Sequence, residues 1–150
     1  MNKRIIVKVS GVFVLGFFLV TGWFFLKLFF SGSATYTEKD WMEYEFYTPG
    51  LLKEMPRISD KYQFDFSNIT GPDAHVFTVH FYNVTDSEEI RNYLKNKGYE
   101  PQTSCDVEAE CWKKHNDPNN DVISLVKFQS PDEVFVQIYR KFGTPYDEFQ

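Results

Sequence analysis

The first thirty residues carry no acidic side chain and no cysteine. The missing cysteine excludes a lipid-modified N-terminal thiol, and the missing acids leave Lys3, Arg4, Lys8 and Lys27 as the side-chain charges of that stretch. Removing those four from the sixteen bases leaves twelve against all twenty-one acids, so residues 31–150 carry a net charge of −9. A body this short of lysine and arginine argues against nucleic acid as a partner, because phosphates are bound by basic side chains that displace counterions. It argues equally against the body lying flat on an anionic membrane, and it suits a basic protein surface.

Catalytic signatures are also missing. The chain has no G-x-S-x-G, no phosphate-binding glycine loop and no H-E-x-x-H. Its three histidines are His75, His80 and His115. His75 and His80 are five apart on a strand-like run, which sends them to opposite faces and away from a shared metal. Cys111 and His115 are a nucleophile and base in outline only, since an exported cysteine with one potential partner is more often bridged than catalytic. Acid pairs such as Glu88-Glu89 and Asp132-Glu133 read as a helix start and a solvated turn. No catalytic residue, cofactor or metal ligand is assigned, and the expected function is not enzymatic.

What the sequence does have is VSGVFVLGFFLVTGWFFLKLFF at residues 9–30. Val9–Leu26 is free of charge, and Lys27 interrupts a run that continues to Phe30. About twenty helical residues at about 1.5 Å each cross a hydrocarbon core of about 30 Å, whereas a signal-peptide core is about 7–15 residues. Trp23 and Lys27 stand near the far end, where an indole ring and a long basic stem reach the headgroup interface. The run is therefore expected to be a retained anchor. Gly32-Ser33-Ala34 gives the rival, a signal peptide cleaved after Ala34. A soluble buried helix would need protein on every side. The bases before the span place the N-terminus in the cytoplasm and the body outside. The expected location is the cytoplasmic (inner) membrane, crossed once, with the domain in the periplasm or outside the cell.

The divisions expected are a cytoplasmic tail at 1–8, the anchor at 9–30, a polar linker at 31–40, an extracytoplasmic domain at 41–142 and a tail at 143–150. Cys105 and Cys111 are the only cysteines, and an even count in an exported domain fits one disulfide. Six residues apart, the bridge requires 106–110 to fold back, and its loop-entropy effect is about 2 kcal/mol. Two free thiols are the alternative. The spacing is a poor metal signal.

Within the domain, Tyr44–Tyr47 reads as a short strand, and Thr48-Pro49 as the cap and first position of a short helix. Tyr62, Phe64 and Phe66 alternate with Gln63 and Asp65, a half-buried strand. Ala74–Val84 is apolar on both sides and reads as a central strand. Thr85-Asp86-Ser87-Glu88 fits a capping box for a helix bearing Ile90, Tyr93 and Leu94, closed by Gly98. Weaker strands follow at 99–102 and 111–114. Val122–Phe128 and Val134–Lys141 read as a hairpin with a four- or five-residue loop. The order β-α-β-β-α-β-β-β predicts an α+β fold with an antiparallel-rich sheet and helices on one face, in the manner of a ferredoxin-like unit.

One pattern suggests binding. Val134, Val136 and Ile138 share one face of the last strand, leaving Phe135, Gln137 and Tyr139 on the other, where His80 and Tyr82 of the central strand can join them. A face of aromatic and mixed polar side chains suits protein recognition. The expected function is protein binding by a membrane-anchored domain, for instance an immunity-type inhibitor covering a basic toxin. The alternative is a structural or assembly component of a cell-envelope complex. Asn68-Ile69-Thr70 and Asn83-Val84-Thr85 match the N-glycosylation pattern and matter only in a glycosylating host.

Overall fold

The computed structural model describes residues 3–29, 31–71, 73–105 and 108–142. The chain divides into two compact units, one ending at Ser31 and one beginning at Gly32. The first is a single helix, α1 (Lys3–Phe29), whose side chains are described at 11–23, 25 and 26. That described stretch is shorter than a span of about twenty residues. Among the described residues no helix is long and apolar enough to cross a membrane. Trp23 lies in α1 and is exposed, while the Lys27 side chain and the 143–150 tail lie outside the described residues.

The second unit is an α+β fold built on one seven-stranded sheet. Its elements are β1 (Ser33–Tyr36), α2 (Trp41–Tyr47), α3 (Gly50–Lys53), β2 (Tyr62–Ile69), β3 (Ala74–Tyr82), α4 (Glu88–Asn96), β4 (Glu100–Pro101), β5 (Glu110–Lys113), β6 (Val122–Gln129) and β7 (Asp132–Lys141). The strand order is β1-β2-β3-β7-β6-β5-β4, and every pair is antiparallel. Two meanders, β1-β2-β3 and β4-β5-β6-β7, meet at the β3–β7 seam. Helix α4 carries the chain from β3 to the far edge. The antiparallel-rich sheet follows the expectation, but the ferredoxin-like unit does not. That unit needs a parallel βαβ pair, and none exists among the described residues.

Alternation fixes which face is buried. Tyr36, Phe64, Val79, Val136 and Leu125 form one cross-strand row, and all are at most 3% exposed. A neighbouring row runs Phe66, Phe77, Ile138, Ile123 and Trp112, all buried. Tyr47 of α2 stacks on Phe66 at 4.4 Å, and Tyr44 sits edge-on to Phe64 at 5.3 Å. Arg91 of α4 pairs with Glu110 of β5 on the same side at 2.5 Å, and Ile90 and Leu94 are fully buried. These helix contacts all fall on one face, as expected.

Five local expectations change. Tyr44–Tyr47 is helical because Tyr44 and Tyr47, one turn apart, both reach the sheet. Residues 33–36 of the expected linker are an edge strand, since Tyr36 completes the buried row. Helix α3 begins at Gly50 after Pro49, one position later than the Thr48-Pro49 reading. The capping box does not close: the Ser87 Oγ is buried without a hydrogen-bond partner, and Asp86 accepts from the Glu88 N–H instead. Gly98 does take the left-handed conformation, at φ 83°, where residues with a Cβ are strained. The β6–β7 hairpin turns on two residues, Ser130 and Pro131, because Gln129 already pairs with Asp132. Cys105 and Cys111 are bonded, with Cα atoms 5.6 Å apart, across the β4–β5 turn.

Arg57 ties the helical layer together. Its guanidinium donates to the carbonyls of Leu52, Lys53 and Met55, satisfying groups left orphaned at the end of α3. It also forks onto Glu38 at 2.9 and 2.7 Å and lies over the Tyr62 and Phe64 rings. Lysine has neither the planar fork nor the donors to do this. Arg57→Lys is expected to lower stability by about 1.5–3 kcal/mol, read as a shift of the urea midpoint at unchanged slope. A shift no larger than that of Lys53→Arg would show that the charge alone matters.

Two carboxylates link stability to acid. The Arg91 hydrogen bonds hold Glu110 below its ordinary value of 4.5. Burial pushes Glu38 up, but the Arg57 and Tyr62 hydrogen bonds outweigh it and hold the group below 4.5. A depressed folded value means stabilisation that is complete above the unfolded value and is lost as pH falls through the folded one. The urea midpoint should therefore drop below about pH 4.5, and it should drop less in a Glu38→Gln, Glu110→Gln variant. An identical acid loss in that variant would place the effect elsewhere.

Candidate functional site

The face opposite the helices is where the sheet keeps its chemistry. Its central row runs Thr35, Asp65, Thr78, Gln137, Ser124 and Cys111 across six strands, polar except for the cysteine. On one side of it lie Gln63, His80, Phe135 and Val126, and on the other Ser67, Val76, Tyr139 and Val122. Tyr82 stands beyond His80, opposite Glu133, which pairs in turn with Phe128. All five residues expected to form a binding face, His80, Tyr82, Phe135, Gln137 and Tyr139, are on this face and half-buried.

The rings form a ladder. Tyr82 lies nearly parallel to His80 with centroids 6.2 Å apart. His80 sits 5.4 Å from Phe135, and Phe135 sits 5.7 Å from Phe128. The ladder thus crosses β3, β7 and β6. It exists because alternation puts His80 and Tyr82 on one side of β3, and the β3–β7 register sets His80 directly against Phe135.

Sequence reasoning missed the acids. His80 Nε2 is 3.0 Å from Asp65 Oδ2 on β2, and His80 Nδ1 is 2.5 Å from Glu133 Oε1 on β7. The Asp65 side chain also accepts from the Thr35 hydroxyl on β1 at 2.5 Å. Glu133 was expected in a solvated turn beside Asp132; it is instead the second residue of β7, opposite Tyr82. The signal for Asp65 was present, since it alternates with Phe64 and Phe66, but its contact with His80 depends on a register that one strand alone does not reveal. Burial, then the Glu133 and Asp65 carboxylates, push the Tyr82 hydroxyl above its ordinary 10.0.

The arrangement suits recognition better than ligation. Both imidazole nitrogens of His80 lie within hydrogen-bonding distance of carboxylate oxygens. Among the described residues no group of three or more His, Cys, Asp or Glu is placed to hold a metal. His75 lies on the opposite face, against the Phe66 and Phe142 rings, with centroids 5.2 and 4.4 Å away. Burial and then the Arg140 charge push it below its ordinary 6.5. The disulfide occupies the Cys111 sulfur, and His115 is exposed beyond β5.

The two faces should respond differently to the same change. Val136→Ser removes a core methyl pair and buries a hydroxyl, and is expected to cost about 2–4 kcal/mol. Phe128→Ser, on a ring 48% exposed, should cost less than about 1 kcal/mol. Thermal or urea unfolding of the two variants checks this, and equal losses would mean that the open face is covered. No family model, no curated protein and no solved structure matches this chain.

Proposed function

We propose that this protein is a single-pass membrane-anchored domain that acts outside the cytoplasm by binding another protein on its open sheet face. The observation that carries the binding reading is the ring ladder of Tyr82, His80, Phe135 and Phe128, which no helix of its own unit covers among the described residues, while the opposite face is closed. Aromatic side chains supply large contact area at small entropic cost, and they dominate interface energetics. The anchor reading rests on the uncharged run Val9–Leu26 and on Trp23 and Lys27 at its outer end. It gains support from β1: cleavage after Ala34 would remove the first two residues of a strand that pairs through Ser33 and Ala34. An immunity-type inhibitor, set beside the membrane to cover a basic toxin, is the specific form of this reading. The −9 charge of residues 31–150 favours it.

Two measurements test it. The native thiols are bonded, so single engineered cysteines report topology. Lys39→Cys should label with a membrane-impermeant maleimide in intact cells, and Asn2→Cys only after permeabilisation. The reverse pattern sinks the location. A photo-crosslinking residue at position 128 should give a discrete protein adduct in cells, whereas one at position 43 on α2 should not. Adducts should persist when α1 is exchanged for a cleavable leader. Loss of every adduct on that exchange would favour assembly through the helix.

A further inference from the structure

We infer that the ring ladder, flanked by Glu133 and Asp65, takes an arginine side chain from a basic segment of the protein partner. This rests on the protein-binding reading and names the chemistry of its contact. The four rings, Tyr82, His80, Phe135 and Phe128, follow one another at 6.2, 5.4 and 5.7 Å with planes tilted by no more than 39°, and Phe128 at the end is 48% exposed. A guanidinium is planar and weakly hydrated, so it stacks on such rings while its fork of N–H donors stays in the plane. The carboxylates supply the acceptors for that fork. Each ionised carboxylate has about four acceptor positions; His80 takes one on an oxygen of each, and the Thr35 hydroxyl takes one on the other Asp65 oxygen. Glu133 itself stands beside the ladder, its Cα paired with that of Tyr82.

Charge selects the same occupant. The trio of Asp65, His80 and Glu133 is net negative whether or not the imidazole carries its second proton, so a cation is attracted and an acidic residue repelled. The surrounding domain adds its own negative field, which steers basic segments to it. Lysine fits less well: its compact ammonium is strongly hydrated and offers no plane to stack. A hydrophobic partner residue would cover the rings but desolvate the carboxylates further and bring them no new donor.

The test uses the isotope-labelled full-length chain in uncharged detergent, followed by amide resonances. It is titrated to millimolar concentration with short peptides alternating glycine with arginine, with lysine or with glutamate. The arginine peptide should move the amides of Tyr82, Phe128 and Phe135 in a saturable way. The lysine peptide should bind about tenfold more weakly, a difference of about 1.4 kcal/mol, and the glutamate peptide not at all. Phe128→Ala and Glu133→Gln should each weaken the arginine peptide by about tenfold, since stacking and pairing are both lost contacts. Glu43→Gln, on α2, should leave it unchanged. Equal binding of both basic peptides, or shifts spread over exposed acids away from the sheet face, would reduce the effect to bulk charge and overturn the proposal. Shifts at the same amides on simple dilution would make a second copy of the chain the occupant and overturn it as well. If the arginine peptide fails while the adduct at position 128 persists in cells, the occupant is wrong and protein binding stands. If both fail, both readings fall.

Discussion

The second unit depends on one constraint: a sheet this wide has a single face that can be closed by the helices available. Antiparallel pairing places every second residue on that face, and the buried row from Tyr36 to Leu125 extends across five strands without a polar interruption. A slip of one residue at any pairing would turn that strand's apolar set to solvent. The β3–β7 seam is where this matters most, because it joins two meanders that are otherwise independent. Phe77, Val79 and Phe81 meet Ile138, Val136 and Val134 there, and the same register that buries them sets His80 against Phe135. The core therefore builds the open face as a geometric consequence.

The helical layer is short, and side-chain bonding compensates for its length. Helix α3 has four residues, too few to stabilise itself, and its terminal carbonyls would be unsatisfied without Arg57. Helix α4 is held at both ends, by Arg91 on Glu110 and by Lys97 on Glu54, while the Tyr93 hydroxyl donates to the Leu51 carbonyl at 2.8 Å. At the sheet edges, β4 is two residues long and contains Pro101, which lacks a donor for further pairing. The disulfide closes the turn next to it.

The sequence made the strands legible where alternation was strong. Tyr62–Phe66, Ala74–Tyr82 and the last hairpin were read within a few residues, and the binding-face residues of β7 followed from Val134, Val136 and Ile138 facing the core. Helix α2 was not legible, because Trp41–Tyr47 is rich in aromatic residues of high strand propensity, and only the packing of Tyr47 on Phe66 decides the matter. Strand β1 was hidden by its composition: Ser33, Ala34 and Thr35 look like linker, and only Tyr36 brings the strand into the core. The carboxylates around His80 come from positions 65 and 133, and no local pattern relates residues so far apart. The parallel unit was expected from element order alone, yet strand order is a tertiary property, set here by α4 crossing to the far edge.

Solubility alone does not account for the open face. A solvated sheet face is satisfied by independent threonine, lysine or glutamate side chains, each hydrated separately. Here three ionisable groups from three adjacent strands are brought into contact, with two of them only 15% and 23% exposed. Desolvating such groups costs free energy that their mutual attraction only partly offsets, and apolar residues in their place are often neutral or stabilising. Beside them stand rings that solubility would disfavour, with Phe128 the most exposed. Aromatic surface and partly desolvated acid on one face work against solubility and stability respectively, and a cationic partner covering them would relieve both costs. Covering by the proposed cationic partner is a physical condition under which this combination would lower the free energy.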